Sequence, residues 1–436
     1  MLLLNKKITM KKLYIAFVAC ICLGKLSAQN TSSPYSIIGL GDMEKSYFDR
    51  TSGLGYGGVA LSSDRYLLLS NPASLSFLMD PSYSNPFYFE VAARYKNVNY
   101  SGAAITSNTT NQSNDLQFKK IAFAIKPKKR WGLSFGLLPF SSSNYSFSGI
   151  KKVQGGTFNV DASYQGTGST NLLYLSNSFL IAKNISIGVQ SSILFGQIDD
   201  KETVYSSITD SVLSTTRNLF LSTPYFKGGI LYNLQCSKNF KFTLGATGSL
   251  KTNVNANYKL TIVDGNTTLK TIDEKRSNYT SIPIMGAIGL AATYKENYTF
   301  VLDYSGQNWS SLKYKGTNYS LTNSNKISAG IQYTNNVLVK DIKGGKAGIY
   351  EKNSFQIGYY QSNSYLNIYG QPIKEWGITL GAGTQFARSG LGVQGTIDIG
   401  SRGTTNNGLI KENFTQLGLT ISYRDFWFTK KVKKYN

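Results

Sequence analysis

Phe414-Thr-Gln-Leu-Gly-Leu-Thr-Ile-Ser-Tyr-Arg-Asp-Phe-Trp-Phe428 decides the fold class. Leu417, Leu419, Ile421 and Tyr423 fall on one face of an extended chain, and Gln416, Gly418, Thr420, Ser422 and Arg424 on the other. That is a period of two, the period of a strand. The apolar face closes in the aromatic cluster Phe426, Trp427 and Phe428. An apolar face ending in an aromatic girdle is what a strand needs to cross a bilayer as part of a barrel.

The same alternation recurs along the chain. Phe87, Phe89, Val91, Ala93 and Tyr95 alternate with Tyr88, Glu90, Ala92, Arg94 and Lys96, a charged face expected to look into a wet lumen. Further apolar faces are Ile121/Phe123/Ile125, Trp131/Leu133/Phe135/Leu137, Ile185/Ile187/Val189/Ile193/Phe195 and Phe240/Phe242/Leu244/Ala246. Tyr298/Phe300/Leu302/Tyr304, Ile327/Ala329/Ile331/Tyr333, Phe355/Ile357/Tyr359, Trp376/Ile378/Leu380/Ala382 and Leu391/Val393/Ile397/Ile399 follow. Weaker candidates are Leu172 to Ala182, Asn218 to Leu234 and Ile282 to Tyr294. The total is about fourteen strands, an even number, as single-chain bacterial barrels require. The expected fold is therefore all-β, a closed antiparallel transmembrane β-barrel over residues 87–428. A secreted β-sandwich is the soluble alternative, and it explains the aromatic strand ends less well.

Short polar turns at Lys183-Asn184, Ser237-Lys238-Asn239 and Glu296-Asn297 are expected on the periplasmic side. Long polar stretches, Ser107 to Asp115, Gln197 to Arg217, Thr252 to Ser277 and Asn335 to Asn353, are expected to be extracellular loops.

Composition agrees. Only 16% of residues are charged, against the usual quarter, while aromatics reach 13% and glycine numbers 42. Beyond the leader no segment approaches the ~18 apolar residues of a membrane helix. Residues 1–28 read as a signal peptide with Met10 as the start: Lys11-Lys12, the apolar run Leu13 to Leu23, and Leu26-Ser27-Ala28 before Gln29. An uncleaved N-terminal anchor is the alternative. The expected location is the Gram-negative outer membrane.

The chain has no His, and Cys236 is the single Cys beyond the leader. Ser-His-Asp machinery and a cysteine or histidine metal cluster have no residues to build on. Asp199-Asp200 and Asp273-Glu274 are acidic pairs, and Gly166-Thr-Gly168-Ser-Thr170 lacks the Lys and helix of a phosphate loop. No enzyme activity, metal or cofactor is expected. The net charge is +23, and +18 without the five leader lysines. For an exported barrel the natural polyanion is lipopolysaccharide phosphate rather than nucleic acid, with dispersed solubilising lysines as the plainer reading.

Residues 29–86 differ. They hold Pro34, Pro72, Pro81 and Pro86, the cluster Gly53 to Gly58, and little alternation. They read as a compact plug, with Pro72 able to begin a short helix. Residues 429–436 form a basic tail, expected to be periplasmic. One strand is anomalous: from Trp131 it alternates until Leu138-Pro139-Phe140 and then turns Ser-rich. Proline lacks the ladder donor, so Pro139 is expected to kink the wall or open it locally.

A Gly-rich plug with Gly57 and Gly58, then Asn71-Pro72-Ala73-Ser74-Leu75, then about fourteen strands resembles the FadL-type outer-membrane transporters of long-chain fatty acids and other hydrophobic compounds. Tyr35 to Gly41, Asn71 to Leu78, Gly400 to Gly403 and Asn413 to Phe428 look like an uncharacterised branch of these barrels. The resemblance implies a hatch gated around Asn71, Pro72 and Ala73, and a lateral opening in the third strand at Leu138, Pro139 and Phe140. It implies passive transport of a hydrophobic small molecule. Two readings stay open beside it. Asn71 and Pro72 could simply cap and stiffen a turn. The barrel could instead be a non-transporting subunit that docks a surface or periplasmic protein in a secretion or assembly complex. An apolar cavity reaching Pro139 favours transport; a closed hatch without one favours docking. Phe428, with Phe426 and Trp427, is the expected assembly signal. Outer-membrane lipid and lipopolysaccharide are the expected surroundings.

Overall fold

The computed structural model describes residues 33–78, 85–102, 111–152, 159–206, 211–312, 319–339, 348–386 and 390–427. The leader, the basic tail and Phe428 lie outside the described residues. The wall strands are β1 (Asn85–Ser101), β2 (Gln112–Lys128), β3 (Trp131–Ser142, resuming at Tyr145–Lys152), β4 (Asn159–Ala182), β5 (Ile185–Ser206) and β6 (Ser211–Gln235). They continue as β7 (Phe240–Ser249 and Thr252–Asp264), β8 (Thr267–Ile282 and Met285–Tyr294), β9 (Tyr298–Gln307) and β10 (Ser324–Val339). The last are β11 (Gly348–Ile368), β12 (Gln371–Phe386), β13 (Leu391–Gly403) and β14 (Lys411–Trp427). Each pairs antiparallel with its neighbours, and β14 closes on β1 from Lys411 opposite Ser101 to Trp427 opposite Asn85. The result is a closed barrel of 14 strands.

Alternation decides which way each side chain points. On β14, Leu417 and Leu419 are 45% and 48% exposed, while Glu412 and Phe414 are buried inside. The outward apolar run on β12, Trp376 to Phe386, spans roughly 34 Å along the strand at ~3.4 Å per residue. At a tilt of about 40° this is about 26 Å of height, close to the ~25 Å band of outer-membrane barrels. Stacked or tilted pairs Trp131–Phe179, Phe240–Tyr294 and Tyr298–Tyr333 line the end of the barrel where β1 begins, here called the near end.

The short turns 183–184, 236–239 and 295–297 all lie at one end, the near end. Three of the expected long loops are corrected. Gln197 to Arg217 and Thr252 to Ser277 are mostly strand, continuing β5 to β8 past the apolar band. Their outward residues are mostly polar because they stand clear of hydrocarbon, which gives them the look of loops. Inward Ile198, Val254 and Ala256 within these stretches, and Leu194, Leu219 and Leu221 beside them, are buried. The described part of Asn335 to Asn353 is strand: residues 335–339 end β10 and residues 348–353 begin β11, paired with each other at the near end. Asp199, Asp200, Asp273 and Glu274 are strand residues, and Asp200 accepts from Arg217 Nε at 3.0 Å and from the Tyr145 hydroxyl at 2.7 Å.

Pro139 (β3), Pro224 (β6) and Pro283 (between the two parts of β8) fall near one level of the wall. Each removes a ladder donor there. Above that level the extended strands bury their inner face with Trp309 and Tyr365, whose rings stack at 4.4 Å, and with Leu366, Leu409, Tyr35 and Leu40. An apolar core thus lies within the far part of the barrel.

Candidate functional site

Residues 33–78 touch the inward side of the wall all the way round, from Glu90 and Lys119 through Ser178, the Ile230 carbonyl, Asp303 and Lys326 to Thr379, Asp398 and Thr420, so they lie within the ring. Eight wall glycines make the room. A Cβ on Gly188 (β5) would stand 2.4 Å from Ala73 N, and one on Gly245 (β7) 2.2 Å from Val59 O. On Gly358 (β11) it would stand 2.1 Å from Gly55 N. Gly132 and Gly330 face Leu75 O and Leu54 Cα of the plug in the same way, while Gly229 meets the Asn71 side chain, Gly289 the Asp303 carboxylate and Gly381 the Gln356 side chain. At Gly132, Gly188, Gly245, Gly330 and Gly358 backbone meets backbone, so no side chain fits.

Asn71, Pro72 and Ala73 are one of the seats. Pro72 opens a short 3₁₀ helix, Pro72–Phe77, and the Asn71 side chain caps it by accepting from the Ala73 amide at 3.0 Å. Asn71 Nδ2 also donates to Val59 O at 2.8 Å and to Ile230 O of the wall at 3.0 Å. The Ala73 carbonyl accepts from Ser178 Oγ at 2.9 Å and Ser186 Oγ at 2.7 Å. Gly58 and Val59 give their amides to Asp303 Oδ2 at 2.6 and 2.8 Å, and Gly57 N donates to Leu54 O at 3.1 Å.

Ion pairs add to this. Asp42 meets Arg402 at 2.7 Å, Lys45 meets Glu375, and Arg50 meets Glu351 while lying 4.1 Å from the Tyr66 ring. Glu44 is held by Lys119 and by Arg94 at 3.3 Å. Burial alone would raise both plug carboxyls. Arg402, Lys45 and Lys96 override it and hold Asp42 at about 2, and Lys119 and Arg94 hold Glu44 below the usual range. The inward charges of β1 therefore face a filled lumen rather than the wet one expected. Glu90 takes Lys120 at 2.6 Å and the Leu67 amide at 3.2 Å.

The wall changes beside Pro139. The β2–β3 ladder runs from Lys128 opposite Trp131 to Ile121 opposite Leu137 and stops. Among the described residues, Gln112 to Lys120 of β2 pair only with β1. A bulge sits at the same place: Ala92 opposes Lys120 and Ala93 opposes Phe118, leaving Lys119 extra. Lys119 and Lys120 both point inward as a result, and both are buried. Beyond the stop, β3 keeps β4, with Pro139 opposite Asn171, and turns toward the plug. Ser141 and Ser142 pair with Met43 and Asp42, and the Glu44 amide donates to Phe140 O at 2.9 Å. Pro139 stands where no β2 partner remains, so its missing donor costs the ladder nothing on that side. Leu138 and Phe140 are buried in the apolar core, Phe140 edge-on to Tyr225 at 5.6 Å.

A cavity of about 230 Å³ lies beside the plug. Its lining is mixed: Lys45, Lys227, Lys326 and Arg402 stand against Asp42, Glu44, Asp303 and Glu375, and Met43, Tyr47, Val59, Tyr225 and Met285 add apolar surface. Leu138, Pro139 and Phe140 are not on it. This cavity does not reach Pro139; Leu138 and Phe140 on either side of it are packed into the apolar core. Phe426 and Trp427 pair with Pro86 and Asn85 at the near end. The glycine seats and the Lys119 bulge were missed in sequence. The bulge had a signal: the outward phase moves from even positions (Leu116, Phe118) to odd ones (Ile121, Phe123, Ile125).

A family model described as BamG matches residues 9–436. A comparison with curated proteins finds no match. Among solved structures, the Pseudomonas putida toluene transporter TodX is 15% identical, with 89% of this chain and 99% of that chain covered and a TM-score of 0.55. A Pseudomonas aeruginosa FadL homologue is 12% identical, covering 87% and 98%, with a TM-score of 0.58. The CymD monoaromatic hydrocarbon channel is 12% identical, covering 86% and 96%, with a TM-score of 0.55. At these identities the likeness establishes the fold, and the FadL-type resemblance holds at that level.

Proposed function

The chain belongs to the BamG family, and from that premise we propose an outer-membrane barrel that passes hydrophobic compounds passively, seen here with its plug closed. The exit is the interruption between β2 and β3. The observation that carries this reading is the ladder stopping at Leu137 while Leu116 and Phe118, farther along β2, still face outward with 45% and 59% exposure. The interruption therefore begins within the apolar band. A compound leaving there enters hydrocarbon directly and avoids the cost of release into water. The fold shared with hydrocarbon channels supports the same reading. Asn71, Pro72, Ala73, Gly57 and Gly58 are then the fixed points that must move for the path to open.

Specific observations favour a second reading, a barrel that docks a protein partner. The cavity beside the plug does not reach Leu138, Pro139 or Phe140, and the plug is anchored on many strands. Uptake of a fluorescent fatty-acid analogue into liposomes separates the two. Transport predicts uptake above protein-free liposomes, reduced several-fold by Pro139→Val, which restores a strand former at the bend. Uptake at the protein-free level leaves docking.

A further inference from the structure

We propose that the free edge of β2, Gln112 to Lys120, is a docking site for one amphipathic β-strand of a second outer-membrane protein. Edge backbone selects its own kind: unpaired N–H and C=O groups in register bind another strand through main-chain hydrogen bonds. The position strengthens the demand. Leu116 and Phe118 place half of this edge within the apolar band, where unpaired backbone is costly. At the other half Asn97 and Asn114 face outward and bond to each other at 2.5 Å, which marks the polar interface. A strand seated here would cross from one zone to the other, as wall strands do.

The two sides of the interruption define the occupant. Outside, it is flanked by Leu116, Phe118 and Leu137. Inside, it is backed by Lys119, Glu44, Arg94 and Asp115, with Arg94 Nη2 3.8 Å from Asp115 Oδ2. Among the described residues, Arg94 Nε is buried without a hydrogen-bond partner, and the buried Asp115 carboxylate has Arg94 only at the longer ion-pair distance. An occupant must therefore be apolar outward and polar inward, with donors and acceptors for these groups. A simple hydrocarbon offers neither the backbone nor the inner face. A strand with transmembrane alternation offers both.

The test uses the full-length barrel in lipid nanodiscs and a synthetic peptide of residues 414–424, which alternates in this way, with a scrambled peptide as control. Amide hydrogen exchange is read along β2. Without peptide, the amides of residues 112–120 that face β3 exchange at least about a hundredfold faster than those of residues 121–128. With the alternating peptide they slow about tenfold or more, and with the scrambled one they do not. Equal protection of both halves without peptide, no slowing, or equal slowing by both peptides overturns the proposal. Liposome uptake is measured on the same protein, so failure of strand docking and failure of transport are seen separately.

Discussion

Glu44→Gln is the most informative single change. Glu44 sits where the plug meets the interruption, and its carboxylate is shared by Lys119 and Arg94. Its side chain is 9% exposed and that of Lys119 is 2% exposed, so water cannot replace the lost charge. Breaking one partner of a buried pair costs roughly 3–5 kcal/mol. Gln keeps the shape and one acceptor, and Asp115 remains near Arg94, so the low end, about 3 kcal/mol, is appropriate. At ~1.4 kcal/mol per tenfold this is roughly a hundredfold more frequent local opening. The reporter is the Glu44 amide, bonded to Phe140 O at 2.9 Å. Its hydrogen-exchange protection falls about a hundredfold in the variant. The Gly58 and Val59 amides, tied to Asp303, change less than about threefold, because sites without shared partners are nearly independent. Glu202→Gln breaks the half-exposed pair with Lys151 and is the control, within about twofold. A Glu44 amide unmoved by the substitution would refute the reasoning that this pair holds the plug to β3.

The depressed Asp42 and Glu44 carboxyls fix a pH dependence. Their folded values lie below the unfolded ones, so their stabilisation is complete above the ordinary carboxylate range and is lost as pH falls through the folded values. Limited proteolysis of the plug should be flat from neutral pH to about pH 4 and accelerate toward pH 2 with an acid-stable protease; acceleration already at pH 6 contradicts it. Gly358→Val should unseat the plug, since its Cβ would stand 2.1 Å from Gly55 N, whereas Gly228→Ala, with nothing within 4 Å, should be silent. Tryptic cleavage at Arg50 reads both, and equal cleavage in the two variants goes against the glycine seats.

The barrel was legible because hydrocarbon imposes a period of two on the outer face, and every strand from Phe87 to Trp427 must obey it. The strands that overshoot the band were not, because their outward residues answer mostly to water and only scattered inner residues such as Ile198, Val254 and Ala256 betray them. Asn71-Pro72 was legible as a helix start, since capping is local chemistry. What Asn71 and Ala73 grip, Ile230 O, Ser178 and Ser186, was not, because partners more than a hundred residues away leave no local pattern. The missing donor of Pro139 signals a bend, and the ladder with β2 ends two residues before it. The bulge at Lys119 that completes the interruption is written only in a one-residue slip of phase.

Disulfide formation across the interruption tests the central claim most directly. In a Cys236→Ser background, Met43→Cys with Ser141→Cys joins plug to β3, residues that are direct partners. Gln117→Cys with Ser141→Cys joins the two residues that would face each other if the ladder through Ile121 and Leu137 simply continued. Paired strands hold Cα atoms about 4.5–5.5 Å apart, within disulfide reach. The account predicts rapid oxidation of the 43/141 pair and none of the 117/141 pair. Oxidation of 117/141 in place of 43/141 would mean an uninterrupted wall and would contradict it.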